Sequence, residues 1–191
     1  LSVLPVIDGK TIIGGYFTTI DGMSRHGIAR LKNDGSLDVD FDPGSGIDGD
    51  FSSVITLAGQ KDGKILMGGY FTSVNGAPRT GLARLGPNGS LDLFFNPHLA
   101  FDEPIAPFPF ADRIALQSDG KILILGPFTS VNGTPRRGIA RLNPNGTLDP
   151  SFSTVLTSNN WIYSLAVQDD GKIVIGGSFT NVNGIARNRI A

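Results

Sequence analysis

The stretch Asp62-Gly63-Lys64-Ile65-Leu66-Met67-Gly68-Gly69-Tyr70-Phe71-Thr72-Ser73-Val74-Asn75-Gly76 decides the fold, because the chain writes variants of it four times. Asp-Gly-Lys recurs at 8–10, 119–121 and 170–172. Nine residues beyond each Asp stands the Phe of a Phe-Thr pair: Phe17, Phe71, Phe128 and Phe179. An Asp-Gly or Asn-Gly pair follows, at Asp21-Gly22, Asn75-Gly76, Asn132-Gly133 and Asn183-Gly184, and then an Arg: Arg25, Arg79, Arg136 and Arg187. Ala-Arg-Leu comes next at 29–31, 83–85 and 140–142; the fourth copy reaches Ala191, one residue before its Arg position. Leu-Asp at 37–38, 91–92 and 148–149 leads to Phe41, Phe95 and Phe152. These offsets carry no insertion, whereas the spacing from that Phe to the next Asp is 21, 24 and 18 residues. Self-similarity at a period of this size is the mark of a repeat architecture.

Each period reads as four strands. An apolar first strand, such as Val54-Ile55-Thr56-Leu57-Ala58, meets Asp-Gly, read here as a two-residue type I′ hairpin turn. The second strand, Lys-Ile-Leu/Val-Met/Ile, is continuously apolar and ends in a Gly-Gly doublet, which suits a strand buried on both faces. The third is Gly-Ile/Leu-Ala-Arg-Leu, and an Asn/Asp-Gly turn leads into a short fourth, Leu-Asp-x-x-Phe. No segment keeps a helical spacing. The expected fold is all-β: a β-propeller whose blades are four-stranded antiparallel sheets, with three full repeats and most of a fourth. An open β-solenoid predicts much shorter repeats. The chain reads as one propeller domain or segment over 1–191, with repeats at approximately 1–52, 53–111, 112–160 and 161–191. It also reads as a piece of a larger protein, whose open edge would invite a neighbouring repeat or a second copy.

Composition agrees. The chain has 26 Gly and 12 Pro, against 40% hydrophobic and 17% charged residues. That argues against a helical bundle and against disorder. The net charge is −1 without a long basic run, so nucleic acid is not an expected partner. There is no Cys, which removes thiol chemistry and Cys-based zinc sites, and no apolar run long enough for a membrane-spanning helix.

The full pattern, from Asp-Gly-Lys-Ile through Gly-Gly-x-Phe-Thr-x-Val-Asn-Gly and Ala-Arg-Leu to Gly-Ser-Leu-Asp-x-x-Phe, resembles the delta-60 repeat β-propeller family. It is similar, more distantly, to kelch repeats, which share the Gly-Gly doublet. Two departures stand out: Gly126-Pro127, read as loss of the second Gly, and Val6, where the other copies have Gln60, Gln117 and Gln168. The resemblance implies bacterial exported or cell-surface proteins with a binding or scaffolding role. It implies neither a catalytic site nor a cofactor.

The candidate residues divide by face. Arg30, Arg84 and Arg141 each precede an Asp by eight residues (Asp38, Asp92, Asp149) and are read as structural ion pairs of the outer hairpin. Arg25, Arg79, Arg136 and Arg187 have two readings, an anion site or a bridge to the neighbouring blade. Asn33-Asp34-Gly35-Ser36 and the sequons at Asn88, Asn132 and Asn145 are read as turn chemistry, ahead of calcium binding or glycosylation. In an up-and-down blade the Asp-Gly-Lys and Asn-Gly-Ser turns share one face. The variable connections share the other, and that is where binding specificity is expected. The first connection offers Asp48, Asp50 and Phe51. The second offers His98, Phe101, Asp102, Glu103, Phe108 and Phe110. The third offers Asn159, Asn160, Trp161 and Tyr163. Aromatics beside Asn or Asp suit stacking on a glycan or anchoring a protein; the alternative is that they pack over the inner strands. Two histidines in unequal positions argue against a metal cluster. No metal or cofactor is expected, and the reading is of a non-enzymatic binding or scaffold module. The alternatives are an assembly or spacer segment, and a carbohydrate-active enzyme using a carboxylate pair among Asp48, Asp50, Asp102 and Glu103.

Overall fold

A computed structural model describes residues 1–49, 51–101, 110–154 and 162–191. It is all-β with one short 3-10 turn, Ile7–Gly9, among the described residues. Each repeat opens with an antiparallel sheet whose middle strand follows Asp-Gly-Lys. The first sheet holds Ser2–Pro5, Thr11–Gly14 and Ile28–Leu31; the second holds Ser53–Gly59, Ile65–Tyr70 and Leu82–Leu85. The third holds Arg113–Leu116, Ile122–Leu125 and Ile139–Leu142; the fourth holds Ile162–Val167 and Ile173–Gly177, with a single bridge from Gly176 to Ile190. The middle strands are apolar throughout because neighbours cover both faces: Ile122, Leu123, Ile124 and Leu125 are all buried. The expected fourth strand is present as one β-bridge per complete repeat, Leu31 to Leu37, Leu85 to Leu91 and Leu142 to Leu148. The blades are therefore three-stranded sheets with a bridged outer segment. A side-chain cluster, described below, holds that segment where a longer ladder was expected.

The two turn types are distributed differently from the sequence reading. In the second repeat, Gln60 N–H donates to Lys64 O and Gly63 N–H donates to Gln60 O, at 2.8 and 3.0 Å. Repeats three and four repeat this pattern. This is a three-residue turn with Gly63 in the left-handed region and Asp62 outside it. The two-residue type I′ turn lies one step later, at the Asn-Gly pairs. Asn75 and Gly76 have φ of 48° and 73°, and every repeat has the same pair of positive φ values. It closes a small hairpin, Ser73–Val74 with Ala77–Pro78.

The connections dock onto these hairpins. Ile47–Asp48 pairs with Ser73–Val74, and Leu99–Ala100 pairs with Ser130–Val131. Asn75 Oδ1 accepts Ser45 N–H while Asn75 N–H donates to Gly46 O; Asn132 treats His98 in the same manner. On its other side the first connection is tied to the preceding blade, with Ile47 N–H donating to His26 O and Val54 N–H to Gly15 O. Ile47 and Leu99 are buried at equivalent positions.

The chain divides into two units, Leu1–Asn96 and Pro97–Ala191, each holding two of the four blade sheets. In the first, Ile12, Phe41, Val54, Met67 and Phe71 are part of one core cluster with Leu4, Val6 and Leu57 packed against it. In the second, Leu125, Ile139, Ile162, Ile175 and Phe179 form a cluster with Phe152 and Leu165 against it. Of the four Phe-Thr rings, Phe71, Phe128 and Phe179 are buried and Phe17 is half-buried.

The glycine doublets serve two purposes. In the first repeat the first Gly sets how closely blades approach: a Cβ on Gly14 would stand 2.6 Å from Val54 Cγ1 of the next blade. The second Gly answers a bulge in the inner strand of its own blade. The register skips Ile55 between Val54 and Thr56, and Tyr163 between Ile162 and Ser164. In the second repeat the bulge sets a carbonyl against the second Gly, so a Cβ on Gly69 would collide with Ser53 O, and in the third repeat one on Gly126 would collide with the equivalent carbonyl, Phe110 O. This corrects the reading of the third repeat. Leu125 pairs with Arg113 where Gly68 pairs with Thr56, so it is the first Gly that is replaced, and Gly126 keeps the second position.

Candidate functional site

On the turn face, the Arg–Asp pairs form as read from the sequence. Arg30 Nε donates to Asp38 Oδ2 at 2.7 Å, Arg84 Nε to Asp92 Oδ2 at 3.0 Å and Arg141 Nε to Asp149 Oδ2 at 2.8 Å. Two partners were missed. The Lys of Asp-Gly-Lys joins the same oxygen, from Lys10 at 2.9 Å, Lys64 at 3.1 Å and Lys121 at 3.0 Å. Each guanidinium also lies over the Phe that closes the repeat, 5.1 Å from Phe41, 4.4 Å from Phe95 and 4.9 Å from Phe152. The fixed spacing of Lys, Arg, Asp and Phe was the available signal. The arrangement is a packed ion cluster in which the acids are fully engaged: Asp38 and Asp149 are buried and their remaining oxygens accept backbone N–H groups. Lys10, against the opposition of burial and with help from Arg30, holds Asp38 down from 3.8 to about 2. The Ser151 hydroxyl and Lys121 hold Asp149 lower still. At Asp92 burial pulls upward, but Lys64 and Arg84 outweigh it.

The turn side chains are engaged by their own turns. Asp34, Asn88 and Asn145 each accept both the N–H and the hydroxyl of the Ser or Thr two residues on. Arg25, Arg79, Arg136 and Arg187 each donate to the carbonyl of the preceding residue, and Arg79 reaches Leu93 O in its own repeat rather than a neighbouring blade. The Nε atoms of Arg25 and Arg79 are buried without a partner, and burial pushes the Arg79 pKa down.

The connection face carries the sequence candidates. Asp48 is exposed; its carbonyl accepts Thr72 N–H at 2.9 Å and its carboxylate takes Gly49 N–H at 2.8 Å. Phe51 is 85% exposed and sits at φ 57°, a conformation unfavourable for a bulky side chain. His98 is exposed beside the Leu99–Ala100 strand, and Phe101, at its other end, is half-buried. Phe110 is buried, so the packing alternative applies to it. Tyr163 is 61% exposed at the bulge of its inner strand. Asp50, Asp102, Glu103, Phe108, Asn159, Asn160 and Trp161 lie outside the described residues.

Sequence reasoning missed Tyr16 and Tyr70, which precede Phe17 and Phe71. They are 76% and 36% exposed at the connection end of the second strands. Tyr70 pairs with Ser53, two residues from Phe51, and Gly15, beside Tyr16, accepts Val54 N–H. The backbones of three aromatics of the first unit thus lie near the start of one inner strand, Ser53–Gly59. In the second unit Asp112 stands at the offset of the bulge residues. Its Oδ1 is buried without a partner, and burial raises its pKa.

The family described as domain of unknown function (DUF5122) β-propeller matches at residues 8–41, 60–95, 117–152 and 168–191. The chain belongs to this family. Each of the four matched segments falls in one of the four repeats, and the spaces between them hold the connections and the inner strands. Comparison with curated proteins returns no match. Among solved structures, the chain is similar to one described as the extracellular domain of a one-component system from B. thetaiotaomicron. The TM-score is 0.52 at 16% identity, over 95% of this chain and 20% of that one. The chain thus spans about a fifth of that structure, and the likeness is one of fold. Among the described residues no helix is long and apolar enough to cross a membrane.

Proposed function

We propose that this β-propeller is a non-enzymatic binding or scaffold module of an exported or cell-surface protein, contacting protein or glycan through its connection face. The delta-60 repeat pattern and its kelch-like doublet belong with this reading, as does the extracellular setting of the similar structure. Phe51 is the observation that carries it. A phenylalanine held in the left-handed region with its ring in solvent costs stability on both counts, and such positions persist where the ring has a use. Tyr16 and Tyr70 beside it supply the flat apolar area on which a sugar ring or a partner side chain stacks.

Titration against bacterial surface polysaccharides and their oligosaccharides tests this. Phe51→Gly should weaken binding by about tenfold or more while holding or raising Tm, because glycine adopts this φ freely. Binding that survives Phe51→Gly together with Tyr16→Ala would sink the reading.

A further inference from the structure

We propose that the turn face of the first two repeats holds a binding groove for a free apolar α-amino acid. A groove of about 360 Å³ lies between the ends of the inner strands of blades one and two, within the first unit. That is at the small end of the range for ligand pockets. Two departures from the repeat open it. In the second unit Gln117 Nε2 donates to Gly171 O at 3.3 Å and ties one blade's turn to the next. Val6 stands at the Gln position in blade one and carries no such group. Gly59 stands where the other copies have Pro5, Leu116 and Val167, and the nearest atoms to a Cβ built on it belong to the tip of Leu4, at 3.5 Å.

The groove has an apolar floor of Leu4, Val6, Ile12 and Ile65. Its lining also includes an acid, Asp8, and two cations, Arg30 and Lys64. Arg30 gives Nε to Asp38 and Nη1 to Pro87 O, and Lys64 gives a hydrogen to Asp92. Each cation has further N–H donors beyond these. Asp38 is shared by Arg30 and Lys10, and Asp92 by Lys64 and Arg84, so each cluster holds more cation than acid and can take a carboxylate. Asp8 sets an acid in the same lining, which opposes a simple anion and suits a ligand that also carries a positive group. A zwitterion uses every part: its carboxylate accepts from Arg30 and Lys64, its ammonium faces Asp8, and an aliphatic or aromatic side chain covers the floor.

Calorimetric titration of the full chain with L-leucine and L-phenylalanine tests this, and saturable binding is expected. Val6→Gln restores the residue of the other three repeats and should weaken binding by about tenfold with the chain still folded and only a small fall in Tm. Gly59→Leu, the residue type of the third repeat, is the second variant and should do the same. Asp8→Asn should weaken leucine but not 4-methylpentanoate, which lacks the ammonium. Phe51→Gly, on the other face, should leave leucine binding intact, which separates this site from the one above. Absence of binding to both amino acids would overturn the proposal, as would full binding by both groove variants, or 4-methylpentanoate binding as tightly as leucine.

Discussion

The two blade pairs are built from one template and packed differently. Between blades one and two, Gly14 lets Val54 come within van der Waals range of the backbone, and Val6 cannot make the Gln hydrogen bond, so it is Arg30 that reaches the next blade's turn, at Pro87 O. In the second unit, Leu125 occupies the Gly14 position inside a cluster with Ile162, and Gln117 ties the turns. The spacing of neighbouring blades is thus set by one or two side chains on an otherwise constant sheet. The bulge and its glycine, by contrast, are common to both pairs. A feature within a blade is fixed by the repeat, whereas a feature between blades is free to vary.

The largest effect should come from what the pairs share. Gly69→Ala and Gly126→Ala each drive a Cβ into a backbone carbonyl and should cost about 3 kcal/mol in denaturant unfolding. A tolerated Gly126→Ala would mean that Phe110 O does not crowd the third repeat as Ser53 O crowds the second. Exchange of the differing position comes next. Leu125→Gly should lose about 3 kcal/mol by emptying a core site, and Gly14→Leu about 2 kcal/mol by overpacking Val54. Combining Gly14→Leu with Val54→Ala should recover part of that loss; failure to recover any would show that Val54 is not what Gly14 accommodates.

Smaller effects separate the complete ion clusters from the fourth repeat. Asp38 has its pKa depressed to about 2, so its stabilising effect is full above about pH 4 and is lost as the pH falls towards 2. Asp38→Asn should lower Tm by several degrees at pH 7 and flatten the acid limb of a Tm–pH profile. An unchanged limb would assign acid sensitivity to other groups. In the fourth repeat the equivalent Lys172 pairs with Asp170 of its own turn, and its side chain is 76% exposed. Lys172→Ala should leave Tm unchanged, whereas Lys121→Ala lowers it measurably, because exposed pairs add little.

Much of the blade was legible in the sequence. The second strands are continuously apolar, Asp-Gly and Asn-Gly bend the chain at fixed intervals, and Arg and Asp eight residues apart meet across an outer hairpin. These are local or single-blade relations, so the spacing carries them. The Lys and Phe that complete each ion cluster follow the same spacing but belong to other segments of the blade, and single-pair reasoning passed them by. At the candidate site, Asp48 and Phe51 were legible as exposed residues of a connection. Tyr16 and Tyr70 were not, because they follow a continuously apolar strand and nothing in that run marks that the chain leaves the core at the tyrosine. For Phe110 the sequence left binding and packing over the inner strands both open, because a connection has no hydrophobic period, and its burial supports packing.

By itself, the sequence determined the all-β repeat, the position of every Asp-Gly and Asn-Gly turn, and which face is constant and which varies. Hydrophobic periodicity and turn chemistry are local properties, and four copies reinforce them. Only the tertiary structure decided which turn is two residues and which is three, because both use Asp or Asn before Gly and differ only in hydrogen-bond register. It alone decided that the fourth strand shrinks to one bridge beside a buried ion cluster. It alone showed that Val6 and Gly59, distant in the chain, face one another across a groove. Contacts between blades depend on what a neighbouring sheet presents, and no period within one repeat encodes that.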